Sequence, residues 1–167
     1  MTSFARGMCP PILLRWLQRI RAGRLWSGAY STWEAASAHC VGYDSAGILE
    51  QVTNASRAVR EGRAAYERDS VLFHEPSVSW PLLAVLSASA AANSGRLRVL
   101  DFGGALGSTY IQHRAWLDML PHVQWCVVEQ PHFAAGGRAE FETEQLRFFS
   151  SMAECVAATD GVDVVLF

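Results

Sequence analysis

The chain has 167 residues, 50% of them hydrophobic and 18% charged, with a formal net charge of −2, a composition suited to a globular fold with one core. All 14 basic side chains are arginine, so neither a P-loop lysine nor a Schiff base to pyridoxal phosphate can form, and two large enzyme classes are excluded. The near-neutral balance gives no broad basic footprint for nucleic acid.

Residues 12–25 place Leu13, Trp16, Leu17 and Ile20 on one helical face and Arg15, Arg19 and Arg21 largely elsewhere, which predicts a short basic amphipathic helix. Such a helix packs on its own domain or lies against an anionic membrane surface. No stretch approaches the roughly 20 apolar residues that span a bilayer. The apolar patch Ile12–Leu14 is interrupted by Arg15 and followed by no small-residue cleavage site, so the expectation is a cytoplasmic chain without a signal peptide. The next stretch, from Trp26 to Ala36, opens into a helix capped by Ser31 or Thr32. Its aromatics Trp26, Tyr30 and Trp33 are expected to anchor the segment to the core or to line a pocket.

From Ser45 to about Arg63, Ile48, Leu49, Val52, Ala55 and Val59 recur at helical spacing and predict a surface helix. Tyr66-Glu67-Arg68-Asp69-Ser70-Val71-Leu72-Phe73 sets charges of both signs beside aromatics, either as a surface salt bridge or as a cluster that closes over a ligand. Trp80 to Ala92 starts with a proline in its first turn and is apolar on nearly all sides, which reads as a buried helix. Asn93-Ser94-Gly95 ends it.

Arg96 to Phe102 is the first predicted strand, and it runs into Asp101-Phe102-Gly103-Gly104-Ala105-Leu106-Gly107-Ser108. The glycines suit a tight turn where backbone approaches a ligand before a helix begins. The dinucleotide pattern G-x-G-x-x-G is broken by Ala105 and Ser108. The frame acid-x-G-x-G-x-G is met by Asp101, Gly103 and Gly107, with Ala105 at the middle glycine. A crossover helix is expected over Ser108–Leu120, then a second strand, Trp125-Cys126-Val127-Val128-Glu129, closing in an acid. Parallel strands put their carboxyl ends on one side, so Glu129 emerges beside the glycine turn, where it can accept hydrogen bonds from both hydroxyls of a ribose.

Pro131–Glu144 is expected as a helix with Gly136-Gly137 as a weak point or an internal bend, Leu146–Phe149 as a third strand, Ser150–Ala158 as a short helix and Val162–Phe167 as a fourth strand. Cys9, Cys40, Cys126 and Cys155 are widely spaced without C-x-x-C and read as reduced, structural cysteines. His122 and Cys126 lie four apart on a strand, which does not bring them together, and no metal site is expected.

Trp26-Ser27-Gly28, Gly42-Tyr43-Asp44, Tyr66-Glu67-Arg68-Asp69-Ser70, Leu100-Asp101-Phe102-Gly103-Gly104, Leu106-Gly107-Ser108 and Trp125-Cys126-Val127-Val128-Glu129-Gln130 together resemble a family of class I S-adenosylmethionine-dependent methyltransferases associated with surface-polysaccharide biosynthesis. The resemblance runs from about Trp26 to the end. It implies an α/β fold, a Rossmann-like doubly wound parallel sheet of which the first four strands are present, preceded by an N-terminal helical segment at residues 1–95. Residues 96–167 would then be the N-terminal half of the methyltransferase domain. The resemblance also implies S-adenosyl-L-methionine as cofactor, with Asp101, Gly103, Gly104 and Gly107 near its methionine end and Glu129 on its ribose, and a small-molecule or saccharide-linked acceptor. No catalytic residue is assigned.

The complete sheet of that family has seven strands, so the expectation is a truncated chain, unstable or inactive alone, with Val164–Phe167 as an apolar edge. Two other readings stay open: an NAD(P)-dependent oxidoreductase, on the strand–turn–helix–strand pattern, and a non-catalytic remnant or interaction module.

Overall fold

The computed structural model describes residues 29–39 and 46–167. The chain divides into two units, Met1–Gly42 and Tyr43–Phe167. The predicted amphipathic helix at 12–25, together with Cys9, Trp26, Cys40 and the Gly42-Tyr43-Asp44 motif, lies outside the described residues.

In the first unit, α1 (Trp33–Ser37) is capped by Thr32, whose Oγ1 accepts from the Ala35 amide at 3.2 Å. The hydroxyl satisfies one of the amides that a helix start leaves free. Tyr30 and Trp33, expected as core anchors, are both exposed.

The second unit begins with α2 (Ala46–Arg60), which buries Val52, Ala55 and Val59 as the helical spacing predicts, with Ala58 also buried and Ile48 and Leu49 partly so. Two short antiparallel strands follow, β1 (Tyr66–Arg68) and β2 (Val71–Phe73), with Tyr66 opposite Phe73 and their rings stacked at 4.6 Å between centroids. The two-residue connection puts Asp69 and Ser70 at φ values of 50° and 64°. Positive φ at both central residues gives a turn whose twist matches that of the strands. This hairpin lies inside the segment expected to be helical.

Then come α3 (Trp80–Ala92), β3 (Arg96–Phe102), α4 (Ser108–Leu117), β4 (His122–Val128), α5 (Pro131–Glu140), β5 (Leu146–Phe149), α6 (Met152–Ala157) and β6 (Val164–Leu166). The four later strands form one parallel sheet in the order β5-β4-β3-β6. The chain therefore builds outward from β3 to β4 and β5, then returns to the opposite side of β3. This α/β architecture with a parallel four-stranded sheet is consistent with a Rossmann-like fold.

Reversal of direction puts the last crossover on the other face of the sheet, as right-handed connections require. One face carries Leu97, Val99, Trp125, Val127, Leu146 and Phe148 against Leu86 and Ala90 of α3, Tyr110 and Leu117 of α4, and Phe133 and Ala134 of α5. The other carries Leu100, Cys126, Val128 and Phe149 against Cys155 of α6. Burial on both faces explains the uninterrupted apolar stretches Val99-Leu100 in β3 and Trp125–Val128 in β4. Burial, reinforced by Cys155, pushes the Cys126 thiol up to about 12, and both cysteines are free thiols.

Two expectations about packing change. Residues 80–92 were expected to be buried nearly all round, yet α3 buries only Leu83, Leu86 and Ala90, while Trp80 is 75% and Val85 54% exposed. An alanine-rich apolar helix carries no polar face to mark which side meets the sheet. Secondly, α5 runs unbroken through Gly136-Gly137. Gly137 lies so close to the Phe148 ring that an added Cβ would overlap it; the glycine seats the helix on the sheet rather than weakening it.

β6 is fastened at the edge by Arg98 of β3. Its guanidinium gives Asp163 two hydrogen bonds, at 3.2 and 2.8 Å, its amide a third at 2.8 Å, and its carbonyl accepts from the Asp163 amide at 2.8 Å. Val164 is buried beyond this clamp, and Val165 and Phe167 are exposed.

Candidate functional site

β3 and β4 end side by side because Phe102 pairs with Val128 in the parallel register. Their carboxyl ends bring the glycine turn and Glu129 together, the place where sheets of this kind hold ligands. The turn is tied to the neighbouring strand by the Gly103 amide, which donates to the Val128 carbonyl at 2.9 Å. Within it, Gly103, Ala105 and Gly107 have φ values of 75°, 50° and 85°. Gly107 is the N-cap of α4, and its left-handed backbone is one that side chains with a Cβ resist.

Asp101 lies beneath this turn. It is 5% exposed, and its Oδ2 accepts from Trp125 Nε1 at 3.0 Å. A Cβ on Gly104 would stand 2.5 Å from that same oxygen, so only glycine lets the turn fold down over the carboxylate. Burial holds the Asp101 carboxyl above the usual carboxylate range, the Trp125 bond opposes this, and the Glu129 charge adds to it. Asp101 thus shapes the turn from below. Gly103, by contrast, is exposed, with open space where a Cβ would be.

Glu129 is half-buried. Its Oε1 accepts from the Ala105 amide at 3.3 Å and its Oε2 from the Gln130 amide at 2.8 Å. An ionised carboxylate has about four acceptor positions, so each oxygen retains capacity for a further donor. The sequence-predicted residues Asp101, Gly103, Gly104, Gly107 and Glu129 therefore lie in one neighbourhood, with Gly103 and Glu129 presented outward and Asp101 and Gly104 packed against each other.

Ala105 occupies the middle-glycine position at φ 50°. The left-handed region costs an alanine roughly 1–2 kcal/mol, part of which glycine gives back through its freer unfolded chain. Ala105→Gly is expected to raise stability by about 0.5 kcal/mol, read as a higher urea midpoint with an unchanged slope.

Three buried polar partners of this region were not assigned roles from the sequence. The sequence marks Trp125 only as part of a strand. Glu67, inside the charged cluster of β1, is 3% exposed; it accepts from the Ser70 amide at 3.1 Å and from the Ser108 hydroxyl at the first position of α4. Arg68 does not pair with its flanking acids and donates to Gln112 at 3.1 Å. His113 is buried, with Nδ1 donating to the Thr109 carbonyl at 2.8 Å and Nε2 accepting from the Ser79 amide at 3.0 Å. Those two partners fix the neutral Nδ1–H tautomer and join α4 to the start of α3. The spacing Leu106, Tyr110, His113, Leu117 marks His113 as part of a buried helical stripe.

Among the described residues no group of three or more His, Cys, Asp and Glu is arranged to hold a metal ion, and no helix is long and apolar enough to cross a membrane. No family model matches the chain, and neither a curated protein nor a solved structure matches it.

Proposed function

We propose that the glycine turn and Glu129 bind S-adenosyl-L-methionine and that the protein transfers its methyl group to a small-molecule or saccharide-linked acceptor. The observation that carries this reading is Glu129: a carboxylate at the end of β4, held by two backbone amides, with acceptor capacity left on both oxygens. Adjacent ribose hydroxyls are a matching pair of donors. Gly103, exposed and open where a side chain would stand, leaves backbone for the methionine portion to approach. Asp101 and Glu129 make the turn electronegative, which favours a cationic sulfonium over a diphosphate.

Bound there, the cofactor would supply an electrophilic methyl group on sulfur, open to direct displacement. The chain's own residues are then required chiefly to align methyl and nucleophile, with a base needed only where the acceptor is a hydroxyl.

Calorimetric titration with S-adenosylhomocysteine tests the reading. The wild type is expected to bind, and Glu129→Ala to weaken binding by about 100-fold or more, the loss of two charge-assisted hydrogen bonds. Asp101→Ala is expected to weaken it through a disordered turn. Absence of binding, or binding indifferent to both substitutions, would sink the proposal.

A further inference from the structure

The hairpin brings a third acidic group, beside Asp101 and Glu129, toward the turn from outside the parallel sheet. Glu67 is 3% exposed, and a carboxylate so far removed from water needs partners. Its two are the Ser70 amide within its own hairpin and the Ser108 hydroxyl. Ser108 is the first residue of α4, directly after Gly107. In nucleotide-binding sheets of this topology, the diphosphate of a dinucleotide settles at that helix start, where free amides and the helix dipole favour an anion. Here the chain brings its own carboxylate to that end of the helix and ties up the Ser108 hydroxyl with it.

We propose that Glu67 is a specificity-determining residue of the glycine-turn site: its buried carboxylate at the start of α4 bars nucleotides that carry a diphosphate and leaves the site to nucleosides that carry none. The inference rests on the turn being a nucleoside site, as proposed above, and concerns which nucleosides it admits. The effect is electrostatic: the carboxylate, bonded to the Ser108 hydroxyl at the start of α4, repels a second anion at that helix end. Hydrogen bonding within the hairpin holds it in place, because β1 and β2 are themselves paired through Tyr66–Phe73 and Arg68–Val71. Glu67 and Glu129 share no hydrogen-bond partner, so removal of Glu67 should alter selectivity more than general affinity.

The test compares wild type, Glu67→Gln and Glu67→Ala on the full chain, with NADH as the diphosphate probe and S-adenosylhomocysteine as the diphosphate-free one. Binding is followed by NADH fluorescence and by calorimetry, after circular dichroism and thermal unfolding establish that each variant is folded. The wild type is expected not to bind NADH. In Glu67→Gln and in Glu67→Ala, which both remove the charge, the affinity for NADH relative to S-adenosylhomocysteine is expected to rise at least about tenfold, the scale of one like-charge contact in a partly buried site. If only the glutamine variant folds, its ratio decides.

A ratio unchanged in every folded variant overturns the inference, as does NADH binding to the wild type. Failure of the wild type to bind S-adenosylhomocysteine counts against the cofactor proposal alone: NADH binding gained on removing Glu67 would still establish the exclusion.

Discussion

Trp125→Ala is expected to remove about 4 kcal/mol of folding stability, within the range for truncating a fully buried tryptophan. Trp125 is fully buried between the sheet and α4, and its ring lies 5.9 Å from that of Tyr110. Against the roughly 5–15 kcal/mol that a domain of this size possesses, such a loss removes roughly a quarter to four-fifths of the stability. The indole also gives Asp101 its hydrogen bond, so the glycine turn loses the group that fixes the carboxylate beneath it.

Trp125→Phe separates the two effects, keeping most of the ring and leaving the Asp101 oxygen without its donor, at a cost of about 1–3 kcal/mol. The sign of its pH dependence follows from Asp101. Burial already holds that carboxyl above its ordinary range, so the ionised form costs stability at neutral pH, and the cost is relieved as pH falls through the raised folded value. The indole N–H favours the ionised form, and its loss raises the folded value further. The deficit of Trp125→Phe should therefore narrow on acidification while the pH is still above about 4, the ordinary aspartate value. Urea unfolding across that interval reads it out; a deficit flat with pH would mean that packing alone accounts for the variant.

Arg98→Met is expected to lower stability at pH 7, because Asp163 loses the guanidinium hydrogen bonds and charge that favour its ionised form. The Arg98 hydrogen bonds hold the Asp163 carboxyl below the usual carboxylate range. Stability from such a group is present above its unfolded value and is lost as pH falls through the depressed folded value. The deficit of Arg98→Met should thus persist to about pH 4 and shrink below it, a lower window than that of Trp125→Phe. Equal deficits at pH 7 and pH 2.5 would show that the arginine acts only through its aliphatic stem.

The contrast between these two aspartates shows what a linear sequence conveys and what it withholds. The strands expected at 96–102 and 125–129, each followed by a break, announce β3 and the second half of β4, and the glycines between them announce the turn; the start of β4 at His122 carries no such signal. Parallel pairing then brings Glu129 beside Gly103. What Asp101 meets is another matter: its indole partner is 24 residues away and becomes visible only when β3 and β4 are in register. Glu67 is harder still, since Tyr66-Glu67-Arg68-Asp69-Ser70 has the composition of a solvated surface, and nothing local reveals that one of its acids turns inward to Ser108. The buried stripe of α3 was illegible for the opposite reason, a surplus of apolar residues with no polar ones to contrast.

Glu129 enters the folded chain already fastened to the Ala105 and Gln130 amides, one from each of the segments that follow β3 and β4. The conformational freedom of this long side chain, on the order of 1.5–2 kcal/mol for a glutamate, is therefore surrendered during folding. A hydroxyl pair arriving at the turn meets acceptors that are already oriented, and the entropy of ordering them no longer subtracts from its affinity. The same two amides make the carboxylate a fastener between strand ends, so preorganisation of the site and cohesion of the sheet's carboxyl edge rest on one side chain.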